Sequence, residues 1–317
     1  MNGVRVTVRL ACVYAAFLGC APARAAEAFI TDQTGDEVSV LDLGSKEVVA
    51  RIPVLGKPAR IATARDGCTA YVTSTEGKYV SVIDTASRNM VAKIAIPDPP
   101  LGIAAAGRFI YVAGFYQPCL YKIDLATGNI AATVEIGASP SGVAVTPDRT
   151  LIVTADRDDN QISIIDAKTF TRNGTVKVGA HAFRVTIDTQ GARAYTANVE
   201  SNDVSVVDLA AKTLLGTVAV GKRPYAVALA KGRGFSTDQY GGTVSVFDLA
   251  TLQPVKRISV GDYPEGIETS ADGKSVYVVN WFSNEVWAID AETLKVTAKM
   301  PAGDGPRAFG TFLRETP

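Results

Sequence analysis

The chain has 317 residues, with 32 lysine and arginine residues against 32 aspartate and glutamate and a single histidine. Balanced charge argues against a bulk nucleic-acid binder, which carries a strong basic surplus, and one histidine excludes a histidine-rich metal centre. After residue 25 no apolar run approaches the roughly 20 residues that a membrane-spanning helix needs.

The first 25 residues have the parts of a secretory signal peptide. Arg5 and Arg9 precede an uncharged, mostly apolar run from Leu10 to Gly19, and Ala23-Arg-Ala25 offers small residues for cleavage. The expected layout is therefore a signal peptide at 1–25 and one domain at 26–317, periplasmic or secreted. The Phe17-Leu-Gly-Cys20 segment competes as a lipoprotein box, which would tether the domain by lipid instead. Removing the leader takes away three arginines, leaving 29 basic against 32 acidic residues. It also leaves only Cys68 and Cys119, which fall at the starts of different strand types in successive repeats and are expected as two separate thiols. No Cys-x-x-Cys-His run marks a c-type haem.

From residue 28 onward the chain repeats. An aspartate ends a short apolar run at Asp42, Asp84, Asp124, Asp166, Asp208, Asp248 and Asp290, at intervals of 40 or 42 residues. Ten positions before each stands Asp32, Ser74, Gly114, Asp156, Asn198, Asp238 or Asn280. A period near 41 filled with short β-type runs is the signature of propeller blades, which makes length a poor guide to domain number. The prediction is an all-β, seven-bladed propeller of four-stranded antiparallel blades.

Within a repeat the runs are clearest at Phe183 to Ile187, Ala194 to Ala197, Val204 to Val207 and Leu215 to Val220, designated strands A to D from the axis outward. Asp66-Gly67, Pro147-Asp148, Gln190-Gly191 and Asp272-Gly273 mark tight A-to-B turns. The marker aspartates begin the C-to-D turns, where a carboxylate accepts backbone N–H bonds, and are expected to be structural rather than an acidic metal ring. The ten-before residues are expected as Asx turns opening the B-to-C loop, with calcium coordination by Asp32, Asp156 and Asp238 as the alternative.

Strand A should carry small residues where blades crowd the axis. Gly102, Ala104, Gly142, Ala144, Ala226, Ala228, Ala308 and Gly310 obey, whereas Arg60, Arg184, Thr186 and Glu268 depart. A charge at that depth costs free energy unless it is paired or wet, so an arginine is expected near Glu268. The domain opens with a B-type run at Phe29 to Thr31 and ends with an A-type run at Arg307 to Leu313. Pairing these two would close the ring and remove two open edges.

Tyr71-Val-Thr-Ser74, Tyr111-Val, Tyr277-Val-Val-Asn280 and the recurrent Val-Ser-Val-x-Asp resemble the YVTN family of β-propeller repeats over residues 28–313. The resemblance implies an exported propeller, a binding module without known catalysis, related to surface-layer and quinoprotein-associated propellers. His181-Ala182 departs from it by lacking the proline found in most of the other links.

The D-to-A and B-to-C connections rim one end of the funnel. They gather Lys57, Arg60, Arg184, Arg223 and Arg307 with Tyr225, Tyr263 and Trp281, flanked by Phe115, Tyr116, Phe183, Tyr240 and Phe282. Rings that stack and guanidinium forks that grip carboxylate or phosphate suit an anionic or aromatic small molecule, a glycan or a protein partner. The leading function is thus non-catalytic binding by an exported monomer without a cofactor. One alternative is a metal-assisted lyase or lactonase, with a divalent cation at the funnel and His181 working beside Glu265 or Glu268. Another is a docking partner for an exported quinoprotein or cytochrome. No nucleophile elbow, phosphate loop or dinucleotide fingerprint is present.

Overall fold

A computed structural model describes residues 26–314. The expected leader, with its cleavage and lipidation boxes, lies outside the described residues. Seven antiparallel sheets surround an axis, and the repeat register read from the sequence matches the blade register. The fifth blade, for example, runs Ala182–Ile187, Arg193–Asn198, Asp203–Asp208 and Thr213–Ala219. Among the described residues no helix is long and apolar enough to cross a membrane.

Each blade is stabilised mainly by its neighbours. Strands B and C are buried on both faces, as in Phe29, Val38, Val40 and Leu41, while the outer Glu47–Pro53 alternates between exposed and covered positions. One continuous apolar cluster joins Phe29 and Val40 to Ile61, Val72 and Ile83 on one side and to Val279 and Val286 on the other. At the axis the blades come close enough to demand glycine. A Cβ on Gly142 would lie 2.9 Å from the Phe183 carbonyl oxygen, and one on Gly266 would lie 2.4 Å from that of Arg307.

All seven marker aspartates accept backbone N–H bonds across the C-to-D turn, including Ser45 to Asp42 at 2.8 Å, Ser87 to Asp84 at 2.7 Å, Ala126 to Asp124 at 3.0 Å and Thr169 to Asp166 at 2.7 Å. The same holds for Ala211 to Asp208 at 2.8 Å, Thr251 to Asp248 at 2.7 Å and Thr293 to Asp290 at 2.6 Å. The ten-before residues differ from the expected Asx turns. Asp32 is fully buried and accepts from the Ser39 hydroxyl, from Ser39 N–H at 3.1 Å and from Gly303 N–H at 3.2 Å. Asp238 likewise accepts from Ser245 at 2.7 Å and Gly221 N–H at 2.9 Å. Asp156 accepts from Ser163 at 2.5 Å. These carboxylates staple strand B to strand C, and in Asp32 and Asp238 they also hold the incoming D-to-A link. Hydroxyl and amide donors bond to these carboxylate oxygens.

The ring closes through the C-terminal segment, though not by one regular strand. Leu313–Arg314 pairs with Ala28 and Glu27, and Phe29 N–H donates to the Phe312 carbonyl at 2.8 Å. At the other end Arg307 N–H donates to Thr31 O at 2.8 Å. Between these points Phe309–Thr311 swings out and pairs in parallel with Arg60, Ile61 and Ala62 of the next inner strand. Two backbone positions permit the detour, Ala308 at φ 43° and Gly310 at φ 123°. A Cβ at Gly310 would sit 1.8 Å from the Ile61 carbonyl oxygen, so only glycine fits. A buried ionic latch finishes the closure: Arg314 donates to Glu27 at 2.9 Å and to Gly67 O at 3.0 Å, and Arg88 reaches Glu27 at 2.5 Å. Cys68 and Cys119 are not joined to each other by a disulfide.

Candidate functional site

The D-to-A links place the mouth side chains by a repeated backbone device. The residue before the inner strand has positive φ at Lys57 (60°), His181 (58°), Arg223 (53°) and Tyr263 (55°). For a side chain bearing a Cβ this conformation costs on the order of 1 kcal/mol, so it must be held from outside. An amide or carboxylate from the preceding blade does so, with Asp36 accepting from Lys57 N–H, Asn160 from His181 N–H and Asn202 from Arg223 N–H, each at 2.8 Å. Sequence variation at this one position changes the chemistry of the mouth and leaves the blades unaltered.

Arg60 is the centre of the site. It is 3% exposed, its guanidinium carbon lies 4.6 Å from the Phe183 ring centroid and 4.5 Å from that of Phe309, and its Nε and Nη2 have no hydrogen-bond partner. Burial, followed by repulsion from Arg184 and Arg307, pushes its pKa down to about 9 even though Glu265 opposes the change. Arg307 packs 4.0 Å from the Trp281 ring centroid and pairs with Glu265 at 3.5 Å, leaving its own Nε without a hydrogen bond. Glu265 is fully buried, accepts from Gln239, and is pushed up to about 7 by desolvation.

Arg184 takes a different role from the ligand contact expected of it. Its guanidinium reaches across the axis to the Ile267 carbonyl at 2.8 Å and the Gly310 carbonyl at 2.7 Å, tying the inner strands of separate blades together. Burial pushes it down to about 10 while the Glu268 charge opposes this, so Arg184 is the arginine that feels Glu268. Glu268 itself accepts from Phe312 N–H at 2.5 Å and Leu313 N–H at 2.8 Å, which explains a carboxylate on a crowded inner strand: it orients the closing segment. His181 lies beside two other carboxylates. Its Nδ1 lies 3.3 Å from Glu200 and its Nε2 3.9 Å from Asp158, both rim carboxylates, whereas Glu265 is held by Gln239 and Arg307.

The remaining expected residues fall into two groups. Lys57, Arg60 and Arg307 line a recess of about 490 Å³ with Phe115, Tyr116, Phe183 and Phe309. Lys57 is partly neutralised by Asp36 at 3.3 Å. Tyr263 instead joins a rim cluster, 4.2 Å from Phe282, 5.5 Å from Tyr240 and 6.3 Å from Trp281 between ring centroids. Arg223 covers Tyr240 at 5.1 Å, and Tyr225 stacks at 5.9 Å on Phe309 below. Arg307 belongs to both groups. Phe309 and Gln239 were not apparent as site residues from the sequence. Phe309 reaches the axis only through the Gly310 detour, while Gln239 follows a ten-before aspartate and was legible as a buried polar candidate only by that register.

The sequence matches the family described as YNCE-like beta-propeller over residues 15–108 and 103–312. No curated protein sequence matches significantly. Among solved structures, a chain of hydrazine synthase from Kuenenia stuttgartiensis aligns with a TM-score of 0.71 and 18% identity, covering 80% of this chain and 89% of that one. A functionally unknown protein from Desulfotomaculum acetoxidans DSM 771 aligns with a TM-score of 0.76 and 16% identity, covering 89% of this chain and 99% of that one. At such identities the likeness concerns the fold.

Proposed function

Because the chain belongs to the YNCE-like β-propeller family, a fold that leaves function to side chains at the funnel, we propose that it is an exported, non-catalytic binding protein whose funnel mouth holds a small anionic ligand. The observation that carries this reading is Arg60, a buried guanidinium with two nitrogens lacking hydrogen-bond partners and two arginine neighbours. A buried charge is ordinarily paired and hydrogen-bonded, and departures from that rule concentrate where a ligand completes the arrangement. Together with Arg184 and Arg307 it sets three cations against the carboxylates of Glu265 and Glu268.

A lyase or lactonase has less support. His181, Glu265 and Glu268 each have separate structural partners, and no group of three or more potential metal ligands gathers among the described residues. The exposed rim rings favour a second reading, docking of an exported protein or glycan on the same face, since Tyr116, Tyr240 and Phe282 are 75%, 57% and 59% exposed. Thermal melting against a panel of anions, cations and neutral compounds at constant ionic strength tests the leading reading. Anions alone should raise the melting temperature, and Arg60→Met should abolish the rise. Equal effects of anions on wild type and variant would remove the proposal.

A further inference from the structure

The recess beside Arg60 contains more information than its sign of charge. This inference rests on the anion-binding reading above and narrows it to one ligand class. The charge around the axis exceeds neutrality by one: three guanidinium groups, Arg60, Arg184 and Arg307, meet the two carboxylates of Glu265 and Glu268. Arg184 spends its terminal nitrogens on two carbonyl oxygens, which leaves Arg60 and Arg307 as the guanidinium groups that line the recess, each with a buried nitrogen lacking a hydrogen bond. Lys57, Lys78 and Glu76 also line it, but Lys57 is paired with Asp36 and the formal charges of Lys78 and Glu76 cancel, so the excess of one stands. A monoanion restores balance there, whereas a dianion overshoots. Part of the lining is an apolar wall, in which Phe183 and Phe309 cover Arg60 and Leu101, Phe115 and Tyr116 continue it, while Gln33, Thr75, Glu76 and Lys78 supply polar lining. A volume of about 490 Å³ falls within the range of small-molecule sites. A planar guanidinium, moreover, matches a carboxylate fork.

We propose that this recess takes a monocarboxylate carrying an apolar, ring-sized body, with its carboxylate on Arg60 and Arg307 and its body against Leu101, Phe115 and Tyr116. Inorganic phosphate and short aliphatic acids satisfy only part of the site. A phosphate carries excess charge and has no body for the apolar wall. Acetate satisfies the charge and leaves the wall wet.

Titration calorimetry of the wild-type protein at pH 7.5 and constant ionic strength, with phenylacetate, acetate, inorganic phosphate and 2-phenylethanol as probes, tests the assignment. Phenylacetate should bind at least about tenfold more tightly than acetate or phosphate, as expected from burying one ring on an apolar wall, and 2-phenylethanol should give no measurable binding. Tyr116→Ser, at an exposed position that leaves the blade core untouched, should erase most of the preference for phenylacetate over acetate. Arg60→Met should remove binding of both acids. Phosphate or acetate binding as tightly as phenylacetate overturns this assignment while leaving the anion-binding function standing. So does a preference that Tyr116→Ser leaves unchanged. Equal binding of 2-phenylethanol and phenylacetate, retention of acid binding by a folded Arg60→Met, or no binding of any anion at millimolar concentration overturns both. If Arg60→Met does not fold, the wild-type order of affinities and the Tyr116→Ser result decide alone.

Discussion

Replacing Arg60 with methionine should make the protein more stable, because the native residue is retained at a cost to folding. Its guanidinium is 3% exposed and lacks hydrogen bonds at Nε and Nη2. At about 1.4 kcal/mol per pH unit, the depression of its pKa from the usual arginine range to about 9 sets an upper bound of roughly 5 kcal/mol on the penalty for holding it charged. Against this stand two ring contacts, each worth about 0.5–2 kcal/mol. Methionine fills a similar volume and keeps dispersion contact with Phe183 and Phe309, so the net expectation is a gain of about 1–3 kcal/mol. Urea unfolding followed by tryptophan fluorescence, without added anion, measures it. A folded variant that loses more than about 1 kcal/mol would refute the reasoning, because Arg60 would then be an ordinary structural residue.

The closure supplies a second expectation: Arg314→Ala leaves Glu27, 1% exposed, with Arg88 as its remaining cation among the described residues and should cost about 3–5 kcal/mol in urea unfolding, a loss below about 1 kcal/mol being incompatible with a buried latch. The buried acids set the pH dependence. Asp32, raised from 3.8 to about 7 mainly by desolvation, contributes stability that is fully present below pH 4 and is lost as pH rises through 7, by up to roughly 4 kcal/mol. Asp32→Asn copies Asn198 and Asn280 of other blades and should flatten this fall between about pH 4 and pH 7; an unchanged pH profile would show that Asp32 does not cause it. Glu265 titrates near 7 beside Arg307, Arg60 and Tyr225, so anion affinity should increase as pH drops from 8 to 6, and Glu265→Gln should remove that dependence in calorimetric titrations. An equally steep dependence in Glu265→Gln would assign it to another group.

The sequence made the propeller legible because a turn aspartate is a local device: the backbone N–H bonds it accepts come from within three residues, so the same letter recurs at every blade, as at Asp42 and Asp290. The ten-before residues differ from Asx turns because their partners lie seven positions on, diagonally across the strand pair, where Ser39, Ser163, Ser205 and Ser245 bond to Asp32, Asp156, Asn198 and Asp238. In the third blade Gly114 has no side chain for this role, and Asp98 from the link accepts Tyr116 N–H at 2.7 Å and Gln117 N–H at 3.1 Å instead. The mouth was legible as composition and opaque as geometry. Lys57, Arg60 and Arg307 meet in one recess, whereas Arg184 is occupied by carbonyls, a distinction set by contacts 83 and 126 residues apart in sequence.

The central claim is that the funnel holds one uncompensated positive charge at Arg60, and bromide, a monoanion with an anomalous X-ray signal, reports on it most directly. Diffraction from bromide-soaked crystals, collected at the bromine absorption edge, should show an anomalous peak in the recess within hydrogen-bond reach of Arg60 or Arg307, and that peak should vanish in Arg60→Met. Peaks confined to exposed lysines, with none in the recess at saturating bromide, would contradict the account.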